Sequence, residues 1–365
     1  MHIKTLIQYL EQIAPASLQE SYDNAGLIVG DPNQTLTGVL VCLDCLEAVV
    51  DEAIALGCNL IVAHHPIVFS GLKKINGKNY VERVVIKAIQ NNIALYAIHT
   101  NLDNVYHQGV NGQMAKQLGL NHTRILSPKT GQLRKLVSFV PESHHQAVLQ
   151  ALFQAGAGNI GNYSECSFSQ LGQGSFKPNK AAQPFLGQAN QREEVSEQRI
   201  EVIFPLYAQG QVLQALRQSH PYEEVAYDLI NLENEHPLIG SGLIGQLPEA
   251  QDSLQVLQQI KQAFGAGVVR HTQIHKKQIQ TIALCGGSGS FLLKTAIQQG
   301  ADLFLTADFK YHEFFDAEQK IIIADIGHFE SEQFTIALVC EIIQKKFPNF
   351  AVHQTKVNTN PVRYL

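Results

Sequence analysis

The chain has 365 residues, which at roughly 150 residues per domain predicts two or three domains, and its 27 Lys and Arg against 32 Asp and Glu leave a formal charge of −5. That balance argues against a nucleic-acid binder, whose affinity rests on clustered cations. The 45% hydrophobic content supports a full core and argues against extensive disorder, and no apolar run reaches the roughly 18 residues of a membrane span. Met1 to Thr5 carries no secretory pattern, and six Cys in so long a chain do not make a disulfide framework. Reduced thiols and a cytoplasmic location are therefore expected.

The first 125 residues or so predict alternating helix and strand. Ile3, Leu6, Ile7, Leu10 and Ile13 recur at helical spacing over residues 3–14. Gly38 to Asp44 is a short apolar run of the kind that forms a buried strand. A helix over 46–57 ends at Gly57, and the strand Leu60 to Ala63 stops at His64-His65-Pro66. A helix over 79–92 follows, then the strand Ile93 to Ile98, which ends at His99. Strands alternating with helices of this length predict βαβ units and a mainly parallel sheet.

From about residue 127 the pattern changes. Leu133 to Val140 is a strand closed by Pro141, and 142–155 is a helix. A stretch rich in Gly, Ser, Asn and Gln, roughly 156–197, predicts a hairpin and a mobile loop. A strand from Ile200 to Pro205, a helix over 209–219 and a strand from Glu224 to Leu232 complete this part. The order β-α-(hairpin)-β-α-β is that of a ferredoxin-like split βαβ module.

The βα pattern resumes after Pro237. The strand Ile279 to Cys285 runs into Gly286-Gly287-Ser288-Gly289-Ser290. A helix over 290–299, strands at 303–306 and 320–326, and a helix over 329–346 follow. Val39 to Cys42 lines up with Ile282 to Cys285, and Gly57 with Gly300, at a constant offset of 243; Leu95 to Ile98 then matches Ile323 to Ile326. The expected fold class is α/β. Duplicated βα units surround mainly parallel sheets in one domain of residues 1–126 and 236–365, interrupted by an α+β insert of residues 127–235.

Ligands of open parallel sheets bind outside the carboxyl ends of the strands. Those ends carry His64 and His65, His99 and Asp103, Asp308 and His312, and His328 and Glu332. These are eight metal-capable or acid–base side chains, expected on one edge of one sheet. A single histidine at a strand end is ordinarily a hydrogen-bonded structural residue; ligand-type side chains at four ends together point to a metal. His328 and Glu332, at i and i+4, share a helical face and can grip the same ion or ion pair. The adjacent His64 and His65 suit two ions better than one. A mixed imidazole and carboxylate set favours Zn, Fe, Mn or Ni over Ca or Mg. His99 and His312 stay open between proton transfer, support of the ligands and plain structure. The amides of Gly286, Gly287 and Gly289 are candidates for holding a phosphate, with a tight turn that needs small residues as the equal alternative. Cys42 and Cys45 read as core packing.

Six segments together resemble the GTP cyclohydrolase 1 type 2 family, also called the Nif-three-like family. They are Glu20 to Leu27 (ESYDNAGL), Ala63 to Pro66 (AHHP), His99 to Asp103 (HTNLD), Gly286 to Gly289 (GGSG), Ala307 to His312 (ADFKYH) and Gly327 to Glu332 (GHFESE). Within the middle part, Ser219 to Asp228 (SHPYEEVAYD) resembles the CutA-like (PII-like) insert of the family's longer bacterial members. The resemblance implies a dinuclear centre inside a toroidal homohexamer, with His64, His65, Asp103, His328 and Glu332 as ligands and Glu332 as the bridge. It implies two divalent ions per chain, zinc foremost and Fe, Mn or Ni as alternatives. It also implies opening of the GTP imidazole ring to formate and dihydroneopterin triphosphate, with His99 or His312 moving the proton. The alternatives are a dinuclear hydrolase of another nucleotide or phosphoester, and a metal-binding regulator or scaffold without turnover. The scarcity of Lys and Arg near these motifs counts against a tetra-anionic substrate. The expected partners are copies of the chain itself and a small nucleotide, with no membrane and no nucleic acid. The chain departs from the family's pattern at Tyr22, where Trp is expected, at Gly112, where Asp is, and at Ala307, where Gly is.

Overall fold

Ile3, Leu6, Ile7 and Leu10 form the buried stripe of the first helix, α1 (Ile3–Ile13), in a computed structural model that describes residues 1–365. After β1 (Gly26–Val29) come three four-residue strands, β2 (Val39–Cys42), β3 (Leu60–Ala63) and β4 (Ala94–Ala97), buried at every position. They alternate with α2 (Glu47–Ala55) and α3 (Tyr80–Gln90). The Asn79 side chain starts α3 by accepting the Glu82 amide at 2.9 Å. β2, β3 and β4 pair in parallel, and β1 lies antiparallel to β4. Strands of this kind need cover on both faces, and alternation of side chains provides it. Val39, Val41, Leu60 and Val62 pack with α1, whereas Leu40, Ile61 and Leu95 pack with α2 and α3. The chain continues through α4 (Thr100–Asp103) and α5 (Val110–Gln117) into β5 (Asn121–Pro128).

Residues Lys129–Pro237 form a unit of their own; Met1–Pro128 and Leu238–Leu365 make up the other. The smaller unit runs β6 (Leu133–Pro141), α6 (His145–Gln154), β7 (Ser167–Phe176), β8 (Glu193–Pro205), α7 (Gln209–Ser219) and β9 (Tyr227–Leu232). Its strands pair antiparallel in the order β7-β8-β6-β9, which is the ferredoxin-like arrangement. Leu136, Val140, Ile200, Val202 and Phe204 pack with Val148, Leu152, Val212 and Leu216 of the two helices. The strand expected from Ile200 begins at Glu193, because β7 pairs with it as far as Phe176↔Glu193.

The larger unit resumes with β10 (Gly240–Asp252), α8 (Ser253–Ala263), β11 (Arg270–His271), β12 (Gln278–Ser288), α9 (Leu293–Gln298) and β13 (Leu303–Ala307). It ends with β14 (Ile322–Asp325), α10 (His328–Glu332), α11 (Phe334–Lys346) and β15 (Val352–Gln354). β12, β13 and β14 repeat the parallel trio, and β11 repeats the antiparallel edge. The register repeats too. Val39↔Leu60 has its counterpart in Ile282↔Leu303, and Leu60↔Ala94 in Leu303↔Ile322.

The two copies do not share a sheet. One sheet has the order β1-β4-β3-β2-β15 and the other β11-β14-β13-β12-β10-β5. The outer side of β2 is taken by β15 and that of β12 by β10, so the two trios do not continue into each other through these strands. The single edge expected to carry the site residues is therefore corrected to two edges from two sheets. All six cysteines are free and five are buried, Cys42 and Cys45 within the core. No helix is long and apolar enough to cross a membrane.

Candidate metal centre

The carboxyl ends of both sheets line one cavity of about 630 Å³. β3 delivers His64 and His65. Their amides still donate to Cys42 O at 3.1 Å and Leu43 O at 2.9 Å, so strand pairing fixes both backbones. β4 leads to His99, and α4 carries Asp103 four residues further on. β14 leads to Gly327, whose φ of +94° lets α10 begin at once. His328 and Glu332 then share a helical face, with Nε2 and Oε2 3.0 Å apart. Glu332 Oε2 also lies 2.9 Å from His65 Nε2 and 3.9 Å from His64 Nε2. The Nε2 atoms of His65 and His328 are 3.3 Å apart, and His64 Nε2 is 3.6 Å from Asp103 Oδ1.

Each of these rings is held by its other nitrogen. Nδ1 bonds to Ile98 O at 2.8 Å for His64, to Asp44 Oδ1 at 2.8 Å for His65 and to Asp308 Oδ2 at 2.6 Å for His328. With Nδ1 donating, all three turn Nε2 inward, and in the neutral ring that nitrogen is the acceptor that metal ligation requires. Asp44 is itself fixed by the Thr359 hydroxyl at 2.8 Å. Asp308 holds its position at φ +60°, a conformation that Asp tolerates better than most residues.

Two observations fit a cation. His64 Nε2 and Asp103 Oδ1 are buried with no hydrogen-bond partner, which costs about 1–3 kcal/mol per group when nothing bridges them. The second observation is electrostatic. Burial pushes His64 down to about 3, so its ring is neutral and free to ligate. Burial also opposes protonation of His65 and His328. Asp44 and Glu332 nevertheless raise His65 to about 9, and Glu332 and Asp308 raise His328 to about 11. Two imidazoliums cannot both aim a proton across 3.3 Å, so the carboxylates demand a positive charge that the rings cannot supply together. Burial and the nearby Glu332 push Asp103 well above the usual carboxylate range, and a cation would reverse that. Donor atoms of His65, His328 and Glu332 lie within 4.8 Å of one another, and so do those of His64, His65 and His99. His65 belongs to both groups.

The structure brings His99 to the cluster. Its ring is 5.3 Å from those of His64 and His65, and its Nδ1 bonds to Asp23 Oδ1 at 2.7 Å. Asp23 in turn accepts the Thr100 amide at 3.1 Å and the Thr100 hydroxyl. His312 is not brought there. It lies exposed in the short turn Tyr311–Ala317, against the rings of Tyr311 and Phe315, and does not line the cavity. The phosphate-holding expectation for Gly286, Gly287 and Gly289 is also corrected, because their amides are already used. They donate to Asn111 Oδ1 at 2.9 Å, Ser331 Oγ at 2.9 Å and Thr306 Oγ1 at 3.0 Å. Close approach explains the glycines instead. A Cβ on Gly287 would collide with Glu332 Oε1, and one on Gly289 with Thr306 Oγ1.

Sequence reading passes over Asp44 and Asp23. Asp44 follows β2, so the strand-end rule that singles out the candidate ligands covers it as well. Asp23 lies within the Glu20 to Leu27 segment, but nothing in the spacing ties it to His99, 76 residues away. At the rim, Tyr22 and Phe69 are 63% and 52% exposed, with ring centroids 6.2 Å apart. Arg270 is the one Lys or Arg lining the cavity, and it is engaged by Asp325 and by Phe309 O at 3.0 Å.

The family profile for Duf34/NIF3 (NGG1p interacting factor 3) matches residues 1–361. A Halalkalibacterium halodurans protein named GTP cyclohydrolase 1 type 2 homolog is 42% identical over 327 residues, covering 89% of this chain and 88% of its own. A Bacillus subtilis protein of the same name is 38% identical over 367 residues, 99% of this chain and 98% of its own. Among solved structures, a Bacillus cereus protein related to NIF3 superposes with a TM-score of 0.88 at 37% identity, covering 100% of this chain and 99% of its own.

Proposed function

The chain belongs to the Duf34/NIF3 family, and from that premise we propose that it is a hydrolase with a dinuclear divalent-metal centre, zinc foremost, acting on a small nucleotide. The unpartnered pair of His64 Nε2 and Asp103 Oδ1 carries this reading. His64, His65, Asp103, His328 and Glu332 would hold the ions, with Glu332 Oε2 near three imidazoles at once. When bound, such ions supply Lewis acidity and a nucleophile at neutral pH. The chain's own residues do the rest. Burial alone would raise Asp23, but the bonds from His99 and Thr100 bring it down to about 2, so it stays ionised. It fixes His99 with Nδ1 protonated and leaves Nε2 to take up and deliver a proton. Tyr22 and Phe69 offer exposed ring faces on which a base can stack, a contact worth about 1–3 kcal/mol.

The names of the relatives and the motifs favour GTP, opened at its imidazole ring to formate and dihydroneopterin triphosphate. The single, already paired Arg270 favours a less anionic nucleotide. The homohexameric assembly implied by the motifs belongs to the same proposal. Purified protein is expected to carry about two ions per chain, fewer in His65→Ala and Glu332→Ala. Formate release is then compared for GTP, GMP and guanosine on protein loaded with Zn, Mn, Fe or Ni. Rising efficiency as phosphates are removed selects the less anionic substrate. No turnover of any of them leaves metal binding and refutes the purine-opening reaction.

A further inference from the structure

The smaller unit contains a second cavity, of about 780 Å³, with lining residues drawn wholly from Phe139 to Ala226. It lies on the sheet face away from α6 and α7. Along β8, Ile200, Val202 and Phe204 enter the core under the helices, so Glu197 and Arg199 point the other way. Phe139 of β6 is paired with Arg199 on that face. Such a face is ordinarily wet. Here Tyr222 and residues of the 177–192 connection also line the space, and Glu197 is only 8% exposed.

Glu197 is the unusual member. Its Oε1 accepts the Tyr222 hydroxyl at 2.8 Å, and no Lys, Arg or His pairs with it. Gly174 on β7 leaves room for the carboxylate, since a Cβ there would overlap Glu197 Oε2. Tyr222 is anchored by His220, whose Nδ1 accepts the Tyr222 amide at 3.1 Å while Nε2 donates to Phe139 O at 3.0 Å. Phe176 and Phe185 flank the Tyr222 ring at 5.9 and 6.3 Å, tilted by 59° and 48°, and make a concave aromatic wall. The lining cation Arg199 is already bonded to Glu201 Oε1 at 2.8 Å. Lys177 is the other lining cation, and two further carboxylates, Glu223 and Glu224, line the same space.

A buried carboxylate with no cation bonded to it favours a positive charge beside it, and aromatic faces attract cations. An inorganic divalent ion would want several oxygen ligands, whereas Tyr222, the one side chain bonded to Glu197, is flanked by the rings of Phe176 and Phe185. We propose that the cavity binds a small organic cation, an ammonium on an apolar body. Its charge meets Glu197, and its alkyl or aryl part meets Phe176, Phe185 and Tyr222. The site stands independently of the metal centre and gives the Ser219 to Asp228 segment a role.

Benzyltrimethylammonium titrated into the full chain by calorimetry tests this, with benzyl alcohol as the neutral analogue. Saturable binding of the ammonium is expected, with the alcohol weaker by about tenfold or more. Glu197→Gln keeps an acceptor for Tyr222 but is expected to weaken the ammonium about tenfold, as is Phe185→Ala at a rim position. The proposal is overturned by no binding at about 10 mM probe, by equal binding of the alcohol, or by full affinity in both variants. If Glu197→Gln does not fold, Phe185→Ala decides alone.

Discussion

Gly287 and Gly300 both sit at positive φ, +61° and +75°, yet they answer to different constraints. A Cβ on Gly300 meets nothing within 4 Å, so Gly300→Ala bears only the backbone preference of about 1–2 kcal/mol. A Cβ on Gly287 would collide with Glu332 Oε1 and stand 3.2 Å from His328 Cε1. Gly287→Ala is therefore expected to lose bound metal as well as stability, and Gly300→Ala stability alone. Urea midpoints and metal content per chain check this, and equal metal in the two variants would refute the packing role. The same pair shows where sequence reading stops. A Gly-rich turn announces that side chains are excluded, but whether an anion or a carboxylate excludes them depends on partners far along the chain. Asn111, 175 residues from Gly286, takes one of the amides. His64, His65, Asp103, His328 and Glu332 are legible as a group because each follows a recognisable strand. Asp23 is not, because it precedes β1, a strand of four half-buried residues without a marked pattern.

At the level of elements, legibility follows burial on two faces. β2, β3, β4, β13 and β14 are apolar at nearly every position and announce themselves. β5 and β10 mix exposed and buried residues, and β15 has three residues, so only their partners define them. Between β6 and β9, His220 couples the elements to acid. Burial holds it below its usual value, against the pull of the Phe139 carbonyl. A depressed folded-state value means that its contribution is complete above about pH 6.5 and is lost as the pH falls through the lowered value. Protonation would set an Nδ1 hydrogen against the Tyr222 amide. Protection of β6 amides in hydrogen exchange, corrected for intrinsic rate, should fall between about pH 7 and 5 in the natural protein and less in His220→Gln. Identical pH slopes would sink this assignment.

Across the whole molecule, the last residues complete the first sheet. β15 pairs in parallel with β2, and beyond it Thr359 bonds to Asp44 and Asn360 to Glu330 Oε1 at 3.0 Å. Removing residues 356–365 is expected to leave the fold cooperative but to weaken metal binding about tenfold or more, since the support of a ligand is lost. Removing 348–365 also uncovers the edge of β2 and should cause self-association. Chelator competition and light scattering separate the two truncations, and unchanged metal affinity in the shorter deletion would refute the supporting role. This arrangement has a consequence for biogenesis. His65 and His328, whose Nε2 atoms meet, are 263 residues apart. At translation rates of about 5–20 residues per second, the first waits roughly 15–50 s for the second. The group of His64, His65 and His99 is thus made long before the group that adds His328 and Glu332 to His65, so an ion in the first could precede the second by that interval, and the two would fill in a fixed order during synthesis.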